Sequence, residues 1–170
     1  MKKLFLTLCV ALLSMGAQAQ EKGDFALGLK GGVSFAKIEF GSEKESFSRA
    51  ALGAFAQYSI TDKWRIELEG IYHPKKDHFS DFTVGLNIHY LINVAEGFKI
   101  YPQIGYGLAF AKTEGSGSAD SDTETDGGLQ IGLGAQYNIG EQWFILADYK
   151  FQPGIFGDGH AVYVGVGVRF

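Results

Sequence analysis

The chain ends on "AVYVGVGVRF" (161–170). In an extended strand Val162, Val164, Val166, Val168 and Phe170 share one face, and Ala161, Tyr163, Gly165, Gly167 and Arg169 share the other. One face is strongly apolar; the other is small or polar. Left at a sheet edge in water, such a strand pairs with other chains. The reading therefore turns on whether the rest of the chain supplies a partner for that edge and a cover for that face.

The same period of two recurs along the chain. Seven further runs precede the last one, at about 24–37, 49–60, 64–72, 80–92, 98–111, 128–139 and 143–152. No segment beyond residue 20 has helical periodicity. The connections alternate in length: 61–63, 93–97 and 140–142 are short, whereas 38–48, 73–79, 112–127 and 153–159 are longer. Eight antiparallel strands joined this way collect the short turns and both termini at one end, and the long loops at the other. About 10 residues at ~3.3 Å rise and ~40° tilt cross roughly 25 Å, the height of an apolar membrane band. The expected fold is all-β: an eight-stranded antiparallel up-and-down transmembrane β-barrel.

The first nineteen residues read as a secretory signal. Lys2 and Lys3 precede the apolar "LFLTLCVALL" (4–13), and Ala17-Gln18-Ala19 fits a small-x-small cleavage site. The apolar stretch is too short for a membrane-spanning helix. The expected organisation is a signal peptide at 1–19 and one barrel domain at 20–170. Cys9, the chain's single cysteine, lies in the signal, so no disulfide holds the domain. Without residues 1–19 the side chains carry 13 bases against 19 acids, a balance of −6. That balance argues against nucleic acid as a partner.

Alternation alone does not say which face is outside, since soluble barrels alternate too. The face opposite the apolar one does. It carries ten glycines, among them Gly28, Gly53, Gly105, Gly165 and Gly167, together with most of the strand charges. Glycine weakens a solvated strand but suits a crowded lumen, and an eight-stranded barrel is only wide enough for its own side chains. Turning the faces round would place Lys and Arg in lipid at about 2–4 kcal/mol each near mid-bilayer. Trp64, Phe98 and Trp143 each open a run just after a short turn, and Phe170 closes the last run at that same end. They form the expected aromatic girdle at one membrane surface.

The eight runs, the loop alternation and the terminal pattern Tyr163-x-Gly165-x-Gly167-x-x-Phe170 resemble the OmpX/OmpA-like eight-stranded outer-membrane barrels of Gram-negative bacteria. The resemblance spans the mature chain. It implies residence in the outer membrane, contact with its lipid and lipopolysaccharide, and a monomer. It also implies that the last strand is read as a signal by the barrel-assembly machinery through Tyr163, Gly165, Gly167 and Phe170.

The densest chemistry is a set of inward charges: Lys30, Arg65, Glu67, Glu69, Lys99, Asp148, Lys150 and Arg169. Buried charge must be paired, so Glu67, Glu69 and Asp148 are expected to pair with Lys99, Lys150, Arg65 and Arg169 across the lumen and plug it. No catalytic, metal or cofactor site is expected. His78-Phe79-Ser80 faintly matches a lipid A deacylase motif, but Asp81 stands where that motif has Asn. His73 and His160, with Asp77 and Asp158, lack local metal-ligand spacing. The 113–127 loop carries Glu114, Asp120, Asp122, Glu124 and Asp126 and is expected to be mobile and to meet a host or other surface ligand. The expected role is structural or adhesive. A narrow channel is the alternative, ahead of a lipid A-modifying enzyme and a soluble ligand-binding barrel.

Overall fold

The computed structural model describes residues 23–40, 43–76, 79–113, 122–153 and 158–170, with side chains placed at 23–35, 48–74, 80–111, 125–153 and 159–170. The signal segment 1–19, Asp77 and His78 lie outside the described residues. Nine strand segments follow in order: β1 (Phe25–Phe40), β2 (Glu43–Ser59), β3 (Trp64–Lys76), β4 (Phe79–Tyr90), β5 (Ile92–Ala95), β6 (Phe98–Thr113), β7 (Asp122–Ile139), β8 (Trp143–Gln152) and β9 (Asp158–Arg169). β4 and β5 both pair with β6 and are parted only at Leu91, so they act as one strand of an eight-stranded barrel.

Every neighbouring pair is antiparallel, and the sheet closes. β4 meets β6 on one side of the barrel, and β1 meets β9 on the other. The terminal stretch is therefore fully paired, from Lys37 opposite Asp158 to Ala26 opposite Arg169. Phe170 N donates to Phe25 O at 2.8 Å, which fastens the last residue to the first strand.

The short turns lie together at one end and are built locally. Thr61 Oγ1 accepts from Trp64 N at 3.0 Å, and Ile60 N donates to Trp64 O at 2.9 Å. Gly97 (φ 73°) and Gly140 (φ 68°) supply the left-handed residues of the other two turns. At the far end the ladders run further than expected. β1 and β2 stay paired through Phe40 opposite Glu43, and β6 and β7 through Thr113 opposite Asp122. Parts of the expected 38–48 and 112–127 loops are thus strand. A hairpin ladder needs only backbone groups to continue, whatever the polarity of its side chains.

The faces divide as expected. Among the described residues thirty large apolar side chains are exposed, Leu29, Leu52, Leu68, Leu86, Leu133 and Val164 among them, and all project outward. The buried set is dominated by polar groups, including Arg65, Glu67, Glu69, Gln130 and Lys150. This inversion of the soluble pattern requires an apolar surrounding.

The lumen is filled by a rule visible in the register. Six large apolar or aromatic inward side chains stand across a ladder from glycine: Phe55 from Gly28, Phe144 from Gly167, Tyr163 from Gly32, Ile71 from Gly53, Tyr101 from Gly134 and Leu146 from Gly165. Gly28 and Gly167 are themselves paired across the closing seam. Phe55 and Phe144 fold over them from both sides, with ring centroids 6.2 Å apart. A Cβ at Gly167 would collide with the Phe144 ring. Gly167→Val should therefore destabilise the barrel by about 1–3 kcal/mol, read as a lower urea midpoint in lipid vesicles. Gly159→Ala, where an added Cβ meets nothing nearer than 3.7 Å, serves as the comparison and should change the midpoint by less.

Candidate functional site

The strand tilt brings five inward charges from three regions of the wall to mid-lumen. Lys30 on β1 is the hub. Its Nζ lies 2.9 Å from Glu67 Oε1, 2.5 Å from Glu69 Oε2 and 3.7 Å from Asp148 Oδ2. Lys150 on β8 bonds Glu69 and lies 3.8 Å from Glu67 Oε1. Neutral donors complete the carboxylates: Gln57 Nε2 donates to Glu67 Oε2 at 2.6 Å, Asn87 Nδ2 to Glu69 Oε1 at 3.0 Å, and Tyr101 OH to Asp148 Oδ1 at 2.6 Å. All five charges are buried. Buried ions hold only when paired and hydrogen-bonded on this scale.

Apolar collars bound this cluster. Ala26, Phe55, Phe144 and Leu146 form one towards the short-turn end. Ala51, Ile71, Ala161 and Tyr163 form the other towards the long-loop end. The Lys30 ammonium lies 5.3 Å from the Phe55 ring and 5.7 Å from the Tyr163 ring, so each collar offers a π-face to the hub.

Lys150 pairs with Glu69 as expected, and the rest of the pairing differs. Lys30, not assigned a partner by the sequence reading, binds all three acids. Arg65, Lys99 and Arg169 form a separate tier near the short-turn rim. Arg65 Nη1 donates to Gln136 Oε1 at 2.6 Å, Nε reaches His89 Nδ1 at 3.3 Å, and the guanidinium lies 4.9 Å from the Tyr101 ring. Arg169 donates to Asn138 and lies 5.4 Å from the Phe144 ring. Lys99 is half-buried opposite Gln136. The reason is height. Each of these three cations adjoins an aromatic residue at a strand end, in Trp64-Arg65, Phe98-Lys99 and Arg169-Phe170, so each begins or ends its strand. Those adjacencies were the signal that places them at the rim.

Of the residues expected to form the girdle, Trp64 and Trp143 are exposed, and Phe98 and Phe170 are half-buried, all at the short-turn end. Tyr90 joins them, 4.9 Å from Trp64, and Phe25 lies 6.4 Å from Phe170. Tyr163, Gly165 and Gly167 all face the lumen rather than an external reader. His73 and His160 do not converge. His160 Nδ1 bonds Tyr149 OH at 2.7 Å, whereas His73 points into the lumen towards Ser34 and Asp81.

Removing the hub should leave three buried acids against one ammonium. Lys30→Ala is expected to cost about 3–5 kcal/mol, measured by urea unfolding in vesicles. Lys30→Met combined with Glu67→Gln and Glu69→Gln should recover a large part of that loss.

A family model described as an outer membrane protein beta-barrel domain matches residues 5–170. Among solved structures, the attachment invasion locus protein Ail of Yersinia pestis is similar at 17% identity and a TM-score of 0.63, over 88% of this chain and 99% of Ail. Neisserial surface protein A is similar at 18% identity and a TM-score of 0.69, over 87% of this chain and 98% of that one. The N-terminal barrel domain of Pseudomonas aeruginosa OprF is similar at 20% identity and a TM-score of 0.59, over 89% of this chain and 100% of that domain. Ail has also been solved in complex with the heparin analogue sucrose octasulfate. A search of curated protein sequences finds no match.

Proposed function

This chain belongs to the outer membrane protein beta-barrel family, and from that premise we propose that it is a closed outer-membrane platform whose role is structural and adhesive. The observation that carries this reading is the cross-lumen cluster of Lys30, Glu67, Glu69, Asp148 and Lys150, bounded by two apolar collars. A hydrated ion crossing it would have to part those pairs inside a wall too narrow for replacement water. The work is then done outside the bilayer, at the long-loop end.

In this reading residues 1–19 are a leader removed on export, and the short-turn end faces the periplasm. The β9 pattern Tyr163, Gly165, Gly167 and Phe170 serves the barrel-assembly machinery before closure hides its luminal side. The mature barrel works as a monomer. Ail has been captured with a polyanion. Here segment 113–127 carries five acids and no base, so charge complementarity favours a basic surface partner.

Single-channel recording of the purified chain in planar bilayers tests the closed lumen. The expected result is no steady conductance, with openings appearing when Lys30 and Lys150 are both replaced by Ala. A steady nanosiemens conductance from the unaltered chain would establish a channel instead.

A further inference from the structure

Ser34, His73 and Asp81 come from β1, β3 and β4 and meet in the lumen at the long-loop end. Ser34 Oγ lies 2.8 Å from His73 Nε2. On the far side of the ring, Nδ1 lies 2.7 Å from Asp81 Oδ2. The other oxygen of that carboxylate, Oδ1, accepts from Arg49 Nη1. Arg49 Nη2 also reaches the carbonyls of His73 and Pro74, each at 3.4 Å. The carboxylate accepts Nδ1–H, so Nε2 presents its lone pair to the Ser34 hydroxyl. A hydroxyl on an imidazole that a carboxylate orients is the arrangement that makes serine a nucleophile.

Exposure fits that use. His73 and Asp81 are buried, while Ser34 is half-buried. The group that would attack is the reachable one. Beneath it lies the collar of Ala51, Ile71, Ala161 and Tyr163, an apolar floor. No member of this set contributes to the central ion cluster.

The geometry points to a serine esterase site at the outer mouth of the barrel, with Ser34 as nucleophile and His73 as general base and acid. Asp81 is the positioning residue, and Arg49 holds it. The substrate class is a soluble carboxylic ester with a compact acyl group. Val33 and Phe35, on either side of Ser34, project outward, so Ser34 faces away from the bilayer and esters anchored in lipid do not reach it. This activity goes beyond the platform reading and does not depend on a closed lumen.

The step balances with water as the second reactant. Ser34 Oγ bonds to the carbonyl carbon as its proton passes to His73 Nε2, and the carbonyl electron pair moves onto oxygen. When that pair returns, the bond to the alcohol oxygen breaks, and the alcohol leaves with the proton from Nε2. Water then attacks the acyl carbon, giving a proton to Nε2. Ser34 Oγ departs with that proton. Ester and water become acid and alcohol.

The test treats the full chain, folded in vesicles, with a fluorescent fluorophosphonate, which phosphonylates activated serines. One label per chain is expected, mapped to Ser34 by peptide mass, and lost in Ser34→Ala. His73→Gln should slow labelling by about 100-fold or more. Asp81→Asn should slow it too, with partial rescue by Asp81→Glu, while heat-modifiable gel mobility verifies that each variant is folded. The folded chain should also hydrolyse p-nitrophenyl acetate faster than the dodecanoate. No label on the folded chain, a label at another serine, or a rate indifferent to His73→Gln would overturn the site. Mapping uses the unaltered chain, so it does not depend on a variant folding. Faster turnover of the dodecanoate would overturn the substrate class.

Discussion

A sheet in hydrocarbon cannot have an edge. Each unpaired backbone N–H or C=O there costs several kcal/mol, and no water is present to bond it. This constraint explains why the first and last strands must meet. The β1–β9 seam joins chain ends far apart in sequence, and the β4–β6 ladder completes the ring. Closure in turn fixes a narrow lumen. The remaining interior features are solutions to filling a tube whose bore the backbone has already set. Glycines stand opposite rings, collars lie above and below the charges, and the central ion cluster fills the middle.

Charge in that tube is arranged by height. Near mid-bilayer the acids and the two lysines neutralise one another at close range. Towards the short-turn rim, Arg65 and Arg169 lean on amides and aromatic rings instead. A guanidinium tolerates that setting because its planar face stacks and its forked donors suit amide oxygens. The two tiers touch through Tyr101, which gives its hydroxyl to Asp148 while Arg65 lies over its ring.

The fold was legible because lipid selects one face of every strand. Valine alternation in β9, tryptophan after each of two short turns and glycine sharing a face with charge all survive in a single chain read alone. Inward orientation was legible for the same reason. Partnership was not. Period two gives a residue's face but not its height, and height depends on stagger between strands. Lys30 therefore looked like one inward lysine among several, although it holds the cluster. Phe55 and Phe144 are harder to see as interior, since an aromatic side chain suits the lipid face as well. The Ser34, His73 and Asp81 contact had no sequence signal at all. Its members lie on three strands, separated by 39 and 8 residues, and only the closed wall brings them together.

The glycine-opposite-ring rule has a consequence for how such a wall changes over time. Free volume inside the tube is fixed by strand number and stagger, so bulk gained on one strand must be surrendered on its neighbour. Phe144 with Gly167, or Tyr163 with Gly32, then behaves as a single heritable unit. Residues on the outer face answer only to lipid and drift one at a time. The two faces of one strand thus accept change by different statistics, singly outside and in complementary couples inside.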